Sequence, residues 1–204
     1  MPDGGDSVHT TAGDAVGAAQ RFYTRHARLY DRLATAPGVG RVRERAVDAL
    51  DLDRGETVVE FGCGTGANLP RLRERVGPTG SVVGVDFATG PLAVARERVA
   101  AEPNVAVCRG DATDPPLTAV GQGHGEVRVA ASRDGTRPDA VLATFLAGML
   151  PAPADAVAGW LDLLADGGRV ALLDLAPSRG AGAPLNPLFD VVARLGSPPG
   201  TDDR

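Results

Sequence analysis

The run Val58-Val59-Glu60-Phe61-Gly62-Cys63-Gly64-Thr65-Gly66-Ala67-Asn68 constrains this chain more than any other. A short β-branched segment over 56–61 runs straight into three glycines at spacing two, and a helical pattern over about 68–76 follows. Alternate glycines let the backbone turn tightly and approach a ligand that side chains would obstruct. A strand–turn–helix unit of this kind needs parallel neighbours to bury its apolar faces. The segments 81–86, 105–108, 139–145 and 169–175 read as further strands, with helices over 90–102 and 154–165 between them. Strands that are apolar throughout and alternate with amphipathic helices predict an α/β fold with a doubly wound, mostly parallel sheet.

Local pattern sets the organisation around that core. Residues 1–13 are polar and Gly-rich and read as a disordered lead. The stretch 14–36 is helical, with Ala15, Ala18, Ala19, Phe22 and Tyr23 on one face, continued by His26 and Tyr30. A second helix over 39–50 places Val42, Ala46 and Leu50 at spacing four. Residues 14–51 therefore read as N-terminal helices capping the site, 52–177 as the α/β core, and 178–204 as a C-terminal helix (185–195) and tail. Within the core, 115–138 is a Gly-rich insertion whose only strand-like part is 126–130. The fifth strand is expected to keep an unpaired apolar edge, because no further strand is legible after it. Homodimerisation through that edge, pairing with 126–130, or a chain that is a piece of a longer one would each account for it.

The charge balance excludes some partners. Arginine supplies all 21 basic residues against 26 acidic ones, giving a net charge of −5, so no broad basic face for nucleic acid is expected. The absence of lysine fits a GC-rich coding sequence. Two cysteines make no disulfide scaffold and have no metal-ligand spacing. No run of about 18 apolar residues exists, and the acidic start lacks a signal-peptide pattern. The expectation is a cytoplasmic protein with no integral membrane segment and no metal.

Two ligand classes use a glycine turn of this form. A dinucleotide sets its pyrophosphate on the helix N-terminus, and Gly62-x-Gly64-x-x-Ala67 loosely satisfies that fingerprint. S-adenosylmethionine (SAM) instead lays its aminoacyl arm across the glycines. Three carboxylates favour the second. Glu60, at the mouth of the turn, suits a cationic amine and would repel a pyrophosphate by about 1 kcal/mol or more when partly desolvated. Asp86, at the end of the second strand, can accept both ribose hydroxyls in either ligand. Asp111, after the third strand, can accept an adenine amino group, and the dinucleotide fingerprint does not require it.

The run 60–68, followed by Asp86-Phe87 and Gly110-Asp111-Ala112, resembles the class I SAM-dependent methyltransferases. Leu29-Tyr30-Asp31, the stretch 64–70 and the stretch 164–170 look like motifs of the ubiquinone/menaquinone C-methyltransferase and phosphatidylethanolamine N-methyltransferase-like group. The resemblance implies a Rossmann-like fold, here lacking the C-terminal antiparallel hairpin usual in the superfamily. It also implies SAM as cofactor and a small-molecule or lipid-like methyl acceptor. By the same resemblance Glu60, Gly62, Gly64 and Gly66 hold the aminoacyl end and Asp86 the ribose. Phe87 lies against the adenine, and Asp111 with Ala112 binds its edge. Phe145 lines the pocket near the sulfonium, where a ring face favours a cation, and Tyr30 caps it.

Methyl transfer needs positioning more than a protein nucleophile, and a base only where the acceptor must lose a proton. His9, His26 and His124 are the only histidines, and only His26 shares a helical face with Tyr30, so no catalytic residue is assigned. The run 143–148 lacks the Asn/Asp-Pro-Pro-aromatic pattern of amino-methylating DNA enzymes, which again speaks against nucleic acid. Two other readings stay open on sequence alone: an NAD-dependent oxidoreductase, and a non-catalytic or truncated SAM-binding protein.

Overall fold

The computed structural model describes residues 37–115, 117–118, 127–128 and 137–174. The lead 1–13, the helix expected over 14–36 with His26 and Tyr30, most of the 115–138 insertion with His124, and everything after Asp174 lie outside the described residues. So do the C-terminal helix and the missing hairpin expected from the sequence.

The elements in chain order are α1 (Pro37–Asp48), β1 (Thr57–Phe61), α2 (Leu69–Val76), β2 (Ser81–Asp86), α3 (Thr89–Arg98) and β3 (Val105–Arg109). They continue with β4 (Leu117–Thr118), β5 (Val127–Arg128), β6 (Ala140–Thr144), a 3₁₀ turn (Ala147–Met149), α4 (Pro153–Leu163) and β7 (Arg169–Leu173). Five strands form one sheet in the order β3-β2-β1-β6-β7, and every pairing in it is parallel. This is the doubly wound sheet expected from the alternation of apolar strands and helices. β1 and β6 are buried at every position, as strands covered on both faces must be.

The period of two divides the core. On one face Val58, Val82 and Leu142 pack with Val47 of α1, Leu50 in the turn after it, Leu69 and Leu72 of α2 and Leu92 of α3. On the other, Val59, Phe61, Val83, Val85 and Val141 pack with Ala156 and Trp160 of α4. Two local expectations need correction. The buried face of α1 is Arg43, Ala46 and Val47, with Leu50 buried in the turn after it, whereas Val42 is 42% exposed. One residue of rotation about the helix brings an arginine inward in place of a valine. The segment Val127–Arg128 pairs with Leu117–Thr118 in a separate two-stranded parallel ladder, and the β7 edge is not its partner.

Candidate functional site

β1 is the central strand, and chain neighbours lie on one side of it while β6 lies on the other. The carboxyl end of β1 is therefore the switch point of the sheet, where open α/β folds leave a crevice. The glycine turn sits there. Gly62, Gly64 and Gly66 have φ of 64°, 54° and 74°, a region that costs side-chain-bearing residues about 1–2 kcal/mol. A Cβ on Gly62 would also lie 3.0 Å from Leu146 Cδ1. The turn is braced by its neighbours: the Cys63 N–H donates to the Val85 carbonyl (3.0 Å) and the Gly66 N–H to the Cys63 carbonyl (2.8 Å). Arg98 of α3 donates to the Thr65 carbonyl.

Asp86 accepts from the Gly64 N–H at Oδ2 (2.8 Å) and from the Ala88 N–H at Oδ1 (2.9 Å). One carboxylate thus ties the glycine turn to the loop after β2, and each oxygen keeps acceptor capacity for a ligand. Burial pushes its pKa up, and the backbone donors of Ala88, Gly64 and Phe87 hold it back.

Glu60 points to the helix face that α1 and α2 cover, the same face as Thr144 by strand parity. It is 1% exposed. Asn68 Nδ2 donates to Glu60 Oε1 (2.6 Å) and to Thr144 Oγ1 (3.1 Å). Arg43, reaching in from α1, also donates to Thr144 Oγ1 (2.8 Å). Asn68 stands at the N-cap of α2 but makes no side-chain capping bond; its Nδ2 is committed to this cluster. Burial raises the Glu60 carboxyl to about 7 against the bonds from Asn68 and Thr144 and the charge of Arg43; Asp86 pushes it further up. Glu60 Oε2 and Asn68 Oδ1 are buried acceptors with no hydrogen-bond partner among the described residues. Buried acceptors of this kind are costly unless something fills them, and a cationic donor fits both.

The expected adenine side lies beyond β2 and β3. Phe87 is half-buried, and its carbonyl accepts from Arg109 Nε (3.1 Å). Asp111 is exposed, with Oδ1 accepting from the N–H (2.8 Å) and hydroxyl (2.7 Å) of Thr113. The Ala112 carbonyl accepts from Trp160 Nε1 (2.7 Å). Trp160, 1% exposed, also stacks on Phe61 with ring centroids 5.0 Å apart, so α4 anchors this loop to the sheet. Phe145 lies just past β6 with φ of 58°, and the Arg43 guanidinium sits 4.7 Å from its ring centroid. A protein cation thus holds the kind of position over this ring that the sequence reading expected of a sulfonium. The expected strand 139–145 stops at Thr144, because the positive φ of Phe145 turns the chain away. Tyr30 lies outside the described residues.

Sequence reasoning missed Arg43, Thr144 and Trp160 as contributors. Nothing separates Arg43 from the other arginines in the sequence, whereas Trp160 is the only tryptophan and sits at spacing four from Ala156 on a helix face. Cys63 and Cys108 are buried free thiols, and burial pushes both up in pKa. Among the described residues no cluster of His, Cys, Asp and Glu could hold a metal, and no helix is long and apolar enough to cross a membrane.

Comparison with known proteins agrees with this geometry. The chain is 43% identical over 101 residues to a 2-phytyl-1,4-naphtoquinone methyltransferase of Thermosynechococcus vestitus, covering 48% of this chain and 45% of that protein. It is 36% identical over 75 residues to a demethylmenaquinone methyltransferase of Staphylococcus aureus, covering 37% and 31%. The chain thus spans less than half the length of these curated relatives. A SAM-dependent methyltransferase from Aquifex aeolicus shares the fold, with a TM-score of 0.55 at 20% identity over 78% of this chain and 76% of that one. Residues 58–168, more than half of the chain and including the glycine turn, Asp86 and Asp111, match the methyltransferase domain family, and the chain belongs to it.

Proposed function

We propose that the chain is a SAM-dependent methyltransferase acting on a small or lipid-like acceptor of the quinone class. The observation that carries this reading is the buried Glu60 carboxylate at the mouth of a three-glycine turn, with one oxygen free of donors among the described residues. A carboxylate in that place attracts an ammonium and repels a pyrophosphate, which weighs against the oxidoreductase alternative. SAM when bound supplies a methyl carbon activated by positive sulfur. In this reading Glu60, with Gly62, Gly64 and Gly66, holds the aminoacyl end, and Asp86 holds the ribose through acceptor positions its backbone donors leave open. Phe87 and the loop of Asp111 and Ala112, anchored by Trp160, would flank the adenine. The acceptor class rests on the identity to quinone methyltransferases across the matched region.

The described residues contain no histidine, so they offer carboxylates rather than imidazole as proton acceptors. An acceptor that already carries a nucleophilic centre needs none. The test is calorimetric titration of the protein with SAM, its demethylated product and NAD, followed by radiolabelled methyl transfer to quinol, phospholipid and small-amine pools. Binding of SAM and labelling of the quinol pool are expected. NAD binding without SAM binding would overturn the methyltransferase reading, and labelling confined to another pool would overturn the acceptor class.

A further inference from the structure

Arg43 is 5% exposed although it lies on a helix that presents other arginines to solvent. It donates to Thr144 Oγ1 and covers the ring of Phe145. Thr144 Oγ1 accepts from Arg43 and from Asn68, so both lone pairs are used and its own hydrogen is left to bond the Glu60 carboxylate. Among the described residues, the charged and titratable groups facing Glu60 are Arg43 from α1, Asp86 from the end of β2 and the Cys63 thiol of the turn. Of these, Arg43 alone favours the ionised carboxylate. A neutral Glu60 would leave the charge of Arg43 facing an incoming ammonium.

We propose that Arg43 is a positioning residue for the cofactor: through Thr144 and its own charge it keeps Glu60 ionised and in place for the cationic aminoacyl end. This rests on the reading of the glycine turn as a SAM site. Because α1 packs on β6 and β7, docking of α1 and ionisation of the cofactor acid are linked.

The test measures SAM affinity by calorimetry between pH 6 and 9 for the wild-type chain and Arg43→Met. The ligand's own amine titrates equally against both proteins, so the ratio of the two Kd values isolates Glu60. An opposite charge within about 4–6 Å shifts a carboxyl pKa by about one or more. For a shift of one, the variant binds roughly ninefold more weakly at pH 6, and the difference fades to almost nothing by pH 9. A ratio that does not change with pH, the signature of a merely structural role, overturns the proposal. Arg43→Lys keeps the charge and should recover most of the loss at low pH. If Arg43→Met does not fold, the lysine variant decides alone, with a small ratio that rises toward low pH expected and a flat one overturning the proposal. Failure of the wild-type chain to bind SAM would fail the underlying reading instead. Carboxyl ¹³C NMR of the cofactor-free protein, with Glu60 identified by Glu60→Gln, then decides the role of Arg43. A midpoint near 7 in the wild type and a higher one in Arg43→Met are expected; identical midpoints overturn it.

Discussion

Glu60→Gln is expected to stabilise the cofactor-free protein above pH 7 and to leave it unchanged near pH 4. The carboxyl is fully buried, and burial raises it from 4.5 to about 7. The folded protein therefore holds this proton more tightly than the unfolded chain does. Between those two values the unfolded chain releases it first, so folding stability falls as pH rises through the window and levels off above about 7. The full loss is about 3 kcal/mol, since each pKa unit is worth about 1.4 kcal/mol. Glutamine resembles the protonated acid in shape and charge, so it removes the loss while keeping an acceptor for Asn68. At about 2–4 °C per kcal/mol for a domain of this size, the variant should melt about 6–12 °C higher at pH 8. Urea unfolding of both proteins without SAM, from pH 5 to 8, gives the difference directly and cancels the titrating groups that are not coupled to Glu60. A difference no larger at pH 8 than at pH 5 would refute the assignment of Glu60 as a buried, partly desolvated acid. The same variant should bind SAM more weakly, the pattern of a site that holds strain for its ligand.

Three further outcomes follow from the geometry. Asp86→Ala should weaken SAM binding by about 1.5–3 kcal/mol, the scale of hydrogen bonds to a charged group, and calorimetry showing no loss would remove Asp86 from the site. Gly66→Ala should cost about 1–2 kcal/mol in urea unfolding from its φ of 74° alone; crowding of the new methyl against Leu69 Cδ1 at 3.0 Å and Ala95 Cβ at 3.1 Å adds to this, and an unchanged midpoint would refute the tightness of the turn. Trp160→Phe keeps a ring against Phe61 but loses the bond to the Ala112 carbonyl, so about 1 kcal/mol of stability should go with it; equal stability would show that this bond contributes nothing net.

Much of the fold was legible because its signals are local. Strands apolar through their whole length and helices between them announce a covered parallel sheet, and glycines at spacing two announce a turn that side chains cannot make. The observed elements end within a few residues of the expected ones, and where they differ the cause is backbone detail, as at Phe145. The three acids Glu60, Asp86 and Asp111 were legible as candidates because each falls at or just after a strand end, where this fold class places its crevice. Their surroundings were not. That Asp86 spends acceptor capacity on the glycine turn, and that Asp111 is bonded to Thr113 in an exposed loop, depend on backbone positions no residue spacing encodes.

By itself, then, the sequence determined the alternation, the glycine turn and the chemistry of the acids around it. Only the tertiary structure decided which face of α1 turns inward and hence that Arg43, 101 positions before Thr144, shares a buried cluster with it. The physical reason is range. Periodicity reports which residues bury together within one element. The parallel pairing of β1 with β6, and the packing of α1 on β6, bring together residues from distant parts of the chain. In that dry interior the charge of Glu60 is set by neighbours from α1, α2 and β6, and no local pattern records them.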